Sequence, residues 1–508
     1  MHARCHAHPT YPAACAALTV ALLLTAVQPA AAQPGTVLSH QKISDTEGGF
    51  KGTLDDGDLF GISAGSLGDL DGDGVDDLAV GAPLDDDGGN GRGAVWILFL
   101  NADGTVKSHQ KISDTEGGFK GTLDDGDFFG RSVAFLGDLD GDGAGDLAVG
   151  AHHDDDGGSG RGAVWILFLN PNGTVKTHQK ISDTQGGFTG TMDDEDRFGI
   201  SVTSLGDLDG DTVGDLAVGA WADDDGGLDR GAVWLLFLNP DGTVRAHQKI
   251  SSTAGGGPQL DNDDRFGFST ASLGDLNGDG VGDLAVGALF DDDGGLDRGA
   301  LWVFFLNPNG TVKAQQKISD TQGGFTGTLD DEDYFSSSVV SLGDLDGDGV
   351  GDLAVGALFD DDGGLDRGAL WILFLNLDGT VKTHQKISDT EGGFTGNLDD
   401  GDWFGHSVAS LGDLDGDGVG DLAVGAHGDD DGGTPPNANR GAVRVLFLDG
   451  VTCYADCDGN GTLDIFDFLC FQNSFVLGES YACDCDPDPV CDIFDFLCFQ
   501  NAFVAGCP

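Results

Sequence analysis

The sequence predicts an all-β fold: a six-bladed β-propeller of four-stranded blades, closed by its N-terminal strand and followed by a small cysteine-rich domain. Three observations predict it. One unit recurs six times, each unit holds four strand-like segments, and the N-terminus carries a strand that the last unit lacks.

The repeat is read from the segment Gly-Asp-Leu-Asp-Gly-Asp-Gly and its single-residue variants. Its first Asp falls at Asp69, Asp138, Asp207, Asp275, Asp344 and Asp413, at spacings of 69, 69, 68, 69 and 69 residues. The copies fill residues 35 to 450 without a linker. In the second copy the strand-like pieces are Phe129–Leu136, Asp146–Ala151, Gly162–Leu169 and Val175–Ser182. The third of these is apolar on both faces, as a strand sandwiched between neighbouring sheets must be. Asn172-Gly173 and Asp241-Gly242 then mark the hairpin into the fourth. A linear stack of sheets is the alternative. Closure argues against it: the Gln41–Ser44 strand precedes the first acidic loop, and no counterpart follows Gly441–Leu448. The N-terminal strand is therefore free to complete the sixth blade and remove the open edge.

The acidic loops carry the chemistry. The first offers Asp69, Asp71, Asp73 and Asp77, with Gly74 at the bend. The next sets are Asp138, Asp140, Asp142, Asp146 and Asp207, Asp209, Asp211, Asp215. The remaining three are Asp275, Asn277, Asp279, Asp283; Asp344, Asp346, Asp348, Asp352; and Asp413, Asp415, Asp417, Asp421. Carboxylates at alternate positions converge when the backbone coils around a cation, and this number of hard oxygens suits Ca2+ better than magnesium. A single such loop reads equally well as a solvated acidic turn; six in register point to calcium. Thr212 replaces the bend glycine and Asn277 replaces a carboxylate, so these two loops are expected to be the weakest sites.

Phe-Gly before the loop (Phe60-Gly61, Phe129-Gly130, Phe198-Gly199, Phe266-Gly267, Phe404-Gly405) and Gly81-Ala82-Pro83 after it resemble the FG-GAP repeat of integrin α-subunits. The resemblance implies a calcium-binding extracellular adhesion module. It departs in three respects: integrin propellers have seven blades, Phe335 is followed here by Ser336, and only the first copy keeps the proline, Pro83.

The chain ends give the compartment. His2 and Arg4 lead into an apolar run over residues 16–27 and then Ala30, Ala31 and Ala32, the anatomy of a signal peptide cleaved after Ala32. That run is too short to span a bilayer, and no transmembrane segment is expected. Eight of the ten cysteines fall between Cys453 and Cys507, which in an exported protein reads as a disulfide framework of undetermined pairing. The expected domains are a signal peptide (1–32), the propeller (33–450) and a cysteine-rich tail (451–508).

The tail is a duplication: the segment 463–473 returns as 491–501. Asp456, Asp458, Asn460, Asp464 and Asp467 stand at positions of an EF-hand-like loop, and Asp484, Asp486, Asp488, Asp492 and Asp495 form a second, in which Pro489 replaces the bend glycine. The two half-loops, their apolar α-helical segments and the Gly506-Cys507 ending resemble dockerin domains. The resemblance implies a cohesin-like protein as the partner of the tail. A small disulfide-stapled cap is the bland reading.

Acidic residues number 87 against 24 basic, a net charge of −63, which excludes nucleic acid as a partner. Eight divalent ions would leave most of that charge uncompensated. The end of the ring opposite the acidic loops has the longer loops and is the expected binding face. It carries Asp55, Asp56, Asp58 and Asp85, Asp86, Asp87 in the first copy, read either as a solvated, salt-tolerant surface or as further cation sites. The positions that vary most among copies follow Gly-Ala and include His152, His153, Trp221, Phe290, Phe359 and His427. They are candidate contacts for a protein or glycan ligand, or else pack beneath the adjacent loop. Trp96, Trp165, Trp234, Trp302 and Trp371, in third strands, read as blade packing, as do His40, His109 and His178.

No nucleophile elbow, phosphate loop or zinc-type cluster is present, so no enzyme is expected. The sequence reads as a secreted, calcium-binding, non-enzymatic binding or adhesion module anchored by its tail. The alternatives are a calcium-dependent lectin, a polysaccharide-active protein of an extracellular complex, and a structural, salt-adapted matrix protein.

Overall fold

The computed structural model describes residues 33–433 and 438–450. The segments expected to be the signal peptide and the cysteine-rich tail, with the tail's ten candidate metal ligands, lie outside the described residues. No helix among those described is long and apolar enough to cross a membrane.

Six four-stranded antiparallel sheets make up the described chain. Blade 1 runs Ser63–Gly68, Asp77–Ala82, Ala94–Leu100 and Val106–Ser113, and blades 2 to 5 repeat that order. Blade 6 takes three strands from Ser407–Ser410, Leu422–Ala426 and Ala442–Leu448, and its fourth from the N-terminal strand Val37–Ile43. Val37 pairs with Leu448 and Ile43 with Val443, so the expected closure is realised and leaves no free edge between the chain ends.

The third strand is buried at every residue in five blades, and in blade 4 only Trp302 is partly exposed. Each large apolar cluster therefore spans two neighbouring sheets. One of them joins Val95, Ile97 and Phe99 of blade 1 to Leu147, Val149 and Trp165 of blade 2. At about 1.5–3 kcal/mol for each large apolar side chain buried, these seams dominate the fold's stability.

The Phe-Gly and Gly-Ala pairs form the joint between blades. Phe60, Phe129, Phe198, Phe266, Phe335 and Phe404 are fully buried. Gly130 sits at φ +90° with its carbonyl against Gly81 of the preceding blade, where a Cβ would lie 1.9 Å from that oxygen. Glycine is required because two backbones meet there. The same carbonyl accepts a bond from Ser63 Oγ at 2.9 Å. Equivalent bonds follow from Ser132, Ser201, Ser269, Ser338 and Ser407, the last reaching Gly61, so that six hydroxyl–carbonyl bonds close the circle. Ser336 takes the glycine position in blade 5 at φ +75° and gives its own hydroxyl to Ala300 O at 2.7 Å.

Candidate metal centres and the two ends of the ring

Each acidic loop joins the first and second strands of its blade. In loop 1, Asp69 binds the loop backbone itself: its carboxylate accepts from the N–H groups of Gly72, Asp73 and Gly74 at 2.7–2.8 Å. Asp77, fully buried at the start of the second strand, accepts from Leu70 N at 3.1 Å and from Leu100 N at 3.1 Å. It therefore pins the loop to the end of the third strand. All six loops repeat this pinning through Asp146, Asp215, Asp283, Asp352 and Asp421.

Carboxylate oxygens converge in five loops. Those of Asp69, Asp71 and Asp77 lie within 4.8 Å of one another, as do those of Asp138, Asp140 and Asp146, and of Asp207, Asp209 and Asp215. Asp344, Asp346 and Asp348, and Asp413, Asp415 and Asp421, do the same. In loop 4, Asn277 turns its amide toward Asp283, donating at 3.1 Å. Burial, with the neighbouring charge of Asp71, pushes Asp77 up to about 7; Asp352 and Asp421 reach about 7, and Asp146, Asp215 and Asp283 about 6. These are carboxylates short of positive charge, held in a cluster of hard oxygens: the residues fit a divalent cation.

The sequence did not show how basic side chains share the loops. Lys107 reaches Asp71 at 2.8 Å and also Asp73. Lys176, Arg245 and Lys382 each bridge two loop carboxylates in the same way, and Lys313 pairs with Asp279. In blade 6 the equivalent position, on the N-terminal strand, is the exposed Leu38. No described basic side chain pairs with Asp413, Asp415 or Asp417, and the charge of Asp449 acts on Asp417 instead. Thr212 holds φ +77° at the bend of loop 3, a conformation costing a β-branched residue about 1–2 kcal/mol. In a calcium titration followed by isothermal calorimetry on single-loop variants (first Asp→Ala), loop 6 is expected to hold the tightest site. Loops 3 and 4 are expected to hold the weakest. Loss of the tightest step in the Asp207→Ala protein rather than in Asp413→Ala would contradict this order.

The FG-GAP repeat family matches residues 60–98, 129–167, 266–304, 336–373 and 404–446, each spanning the joint and acidic loop just described. Five of the six blades thus match the FG-GAP repeat. Integrin alpha-PS2 of Drosophila melanogaster is 35% identical over 205 residues, covering 39% of this chain and 13% of that protein. Integrin alpha-5 of Xenopus laevis is 35% identical over 243 residues, covering 47% of this chain and 20% of that protein. The chain thus spans a fifth or less of these relatives. Among solved structures, the PQQ-bound aldose sugar dehydrogenase of Streptomyces coelicolor aligns over 82% of this chain and 100% of that one at 12% identity, with a TM-score of 0.38.

At the opposite end, the blades bury much of the acidity that reads as solvated surface. Asp58 and Asp85 are 4% and 3% exposed. Lys111, reaching across from the fourth strand, pairs with Asp85 at 2.6 Å and Asp87 at 2.8 Å. Asp58 accepts only from Asp55 N, at 2.8 Å. Its burial and the charge of Asp85 push it up to about 7. Asp127, Asp196, Asp264, Asp333 and Asp402 repeat the arrangement, each raised to about 7 chiefly by burial. Between blades, Arg92 binds Asp114 and Asp125 at 2.9 Å each, and Arg161, Arg298, Arg367 and Arg440 do likewise at their joints.

The candidate ligand contacts gather around the axis at this end. His152 and His427 are buried, while His153, Trp221, Phe290 and Phe359 are half-buried. Ring contacts run from Phe290 through Tyr334, Phe359 and Trp403 to His427 at centroid separations of 4.8, 4.9, 5.9 and 4.8 Å. Arg265 lies 4.3 Å from the centroids of both Trp221 and Phe290. The residue before each blade phenylalanine (Leu59, Phe128, Arg197, Arg265, Tyr334, Trp403) has a positive φ, which sets its side chain at the rim without any glycine or asparagine to announce it.

Proposed function

We propose that this chain is a secreted, calcium-stapled, non-enzymatic binding or adhesion module whose partner docks on the face opposite the acidic loops. The observation that carries the reading is the segregation of the two ends. One end is committed to loops whose carboxylates converge for a cation, and the other presents an aromatic rim around the axis. Bound calcium would supply the positive charge that Asp77 and its equivalents lack, fixing six loops at one end and leaving the other free for contact. Likeness to integrin alpha chains supports adhesion over catalysis. Six similar loop sets on one ring favour avidity from weak contacts. The apolar run and small residues before position 33 support export, and the dockerin-like tail supports anchoring through a cohesin-like protein.

The test is capture on immobilised extracellular matrix proteins and on a glycan array, with calcium and with EDTA, using full-length chain and a tail-deleted chain. Calcium-dependent retention that survives tail deletion is expected on a protein ligand. Retention on glycans alone would favour the lectin, and turnover of a polysaccharide would end the non-enzymatic reading.

A further inference from the structure

The axial cavity at the aromatic end, about 90 Å³, is ringed by the residue two places after each blade phenylalanine: Ile62, Arg131, Ile200, Phe268, Ser337 and His406. Five of these are apolar or neutral. Arg131 is charged, and its guanidinium packs 5.4 Å from the centre of the Phe268 ring, two blades away. It makes no ion pair or side-chain hydrogen bond with any described residue; burial is the sole influence on it, and pulls it down to about 10. In a chain with 87 acidic residues against 24 basic, a cation set into the axis without a carboxylate is exceptional. Nearly every other buried or half-buried basic side chain here has one, as Lys111 and Arg92 illustrate.

A second observation points the same way. His152 and His427 are 8% and 6% exposed, both feel the charge of Arg131, and the Nδ1 atom of each has no partner. His406, whose ring lies 4.3 Å from that of His427, places Nδ1 3.1 Å from Ile62 O, so that nitrogen carries the proton. Burial and Arg131 hold these rings neutral at pH 7, leaving one fixed positive charge with hydrogen-bonding rings beside it. The two buried, unpartnered histidine nitrogens are costly unless a ligand or a water takes them, while the half-buried Arg131 nitrogens remain accessible from the cavity.

Resting on the reading that this face receives the partner, we infer that the axial cavity binds a carboxylate, with the Arg131 fork as its principal contact. The guanidinium presents parallel N–H donors that match a carboxylate's two oxygens. One fixed charge balances a monovalent anion, whereas a phosphate dianion would remain half uncompensated in a partly buried setting. The apolar rim of Phe268, Leu289 and Leu358, flanked by Trp221, Phe290 and Tyr334, suits the body that carries the carboxylate. The molecule's overall negative charge opposes entry only over about 8 Å at physiological salt. The carboxylate can be a free small acid or an acidic side chain of a protein.

The test uses calcium-loaded full-length protein at constant ionic strength, with binding read by saturation-transfer NMR. The probes are acetate, a short peptide bearing one central Asp, and its Asn counterpart. Saturable binding of acetate or the Asp peptide, but not the Asn peptide, is expected. Comparable acetate and peptide affinities would assign a free acid, and a tighter peptide would assign a protein side chain. Arg131→Met should weaken binding at least about tenfold while leaving the melting temperature unchanged or higher, since it removes a half-buried charge that has no ion-pair partner. Arg131→Lys should weaken it also, because the fork is lost though the charge remains. No saturable binding, or equal binding by Arg131→Met, would overturn the inference. So would loss of folding in both variants, which would make the guanidinium structural. If matrix capture persists while neither carboxylate binds, this inference fails and the proposed function stands.

Discussion

Chelation with EDTA is expected to lower the melting temperature by about 15–20 °C, the sum of six moderate sites acting on one cooperative ring. Each acidic loop keeps a buried carboxylate (Asp77, Asp146, Asp215, Asp283, Asp352 or Asp421) that pins its blade and faces other negative groups. A site filled at 100 times its dissociation constant adds about 2.7 kcal/mol to the folded state. Six such sites rival the whole net stability of an ordinary domain, about 5–15 kcal/mol. The basic side chains soften the loss where they reach the loop, as Lys107 does at Asp71, so loops 1 to 5 retain partial neutralisation without metal. Loop 6 has none among the described residues, and it lies beside the strand pair that closes the ring. Early melting of the chelated protein should therefore begin at blade 6, visible as loss of amide protection at Val37–Ile43 before the other fourth strands. Magnesium should restore less than calcium, because it keeps several of its waters and is usually held by one or two carboxylates, whereas three converge in these loops. A melting temperature indifferent to EDTA would remove the metal from the account.

The repeat made most of this legible in the sequence, since six copies cancel the accidents of any one. The third strands (apolar throughout in blades 1 to 5 and interrupted only by Arg444 in blade 6), the hairpin glycines and the missing fourth strand of blade 6 each had a direct physical meaning, and the sheets follow them. The acidic loops were equally plain, because six copies of alternate carboxylates around a bend recur in register, and in five of them the carboxylates converge. What escaped were relations between distant side chains. Asp58 and Asp85 read as surface because aspartate is normally exposed, and only the folded blade brings Lys111 across to pair with Asp85 while Asp58 is left without an ion pair. Arg131 was visible in principle: aligned copies read Ile, Arg, Ile, Phe, Ser and His at one position amid constant neighbours. Its meaning needed the ring, which turns a position in a strand into a point on the axis. The left-handed backbone at Leu59, Phe128 and Trp403 had no sequence signal at all, being imposed by the inter-blade joint on residues that resist it.

The second large effect concerns pH, and it comes from the end opposite the acidic loops. Asp58, Asp127, Asp196, Asp264, Asp333 and Asp402 are raised from 3.8 to about 7, first by burial and then, in each case, by a carboxylate in the neighbouring loop such as Asp85, Asp223 or Asp429. Because the folded pKa lies above the unfolded one, the folded protein holds more protons between the two values. The stabilisation is therefore complete at low pH and is lost as pH rises toward 7. Even a tenfold gain in proton affinity at one site amounts to about 1.4 kcal/mol, and six sites acting together reach a sizeable part of a domain's net stability. Salt-bridged carboxylates such as Asp87, held below the usual range by Lys111 and Ser113 despite partial burial, act with the opposite sign and lose their contribution as pH falls below that range. With calcium in large excess to keep the loops filled, the melting temperature is expected to be higher at pH 5.5 than at pH 8 by about 5–10 °C. Replacing all six by Asn should flatten that slope and raise stability at pH 8. The amide oxygen still accepts from the backbone N–H that Asp58 now binds, while the charge facing Asp85 disappears. A melting temperature that rises with pH, or a six-Asn protein less stable than the parent at pH 8, would mean that these carboxylates are ionised and compensated in the folded state, and the buried row would then have to be read as a second set of cation sites.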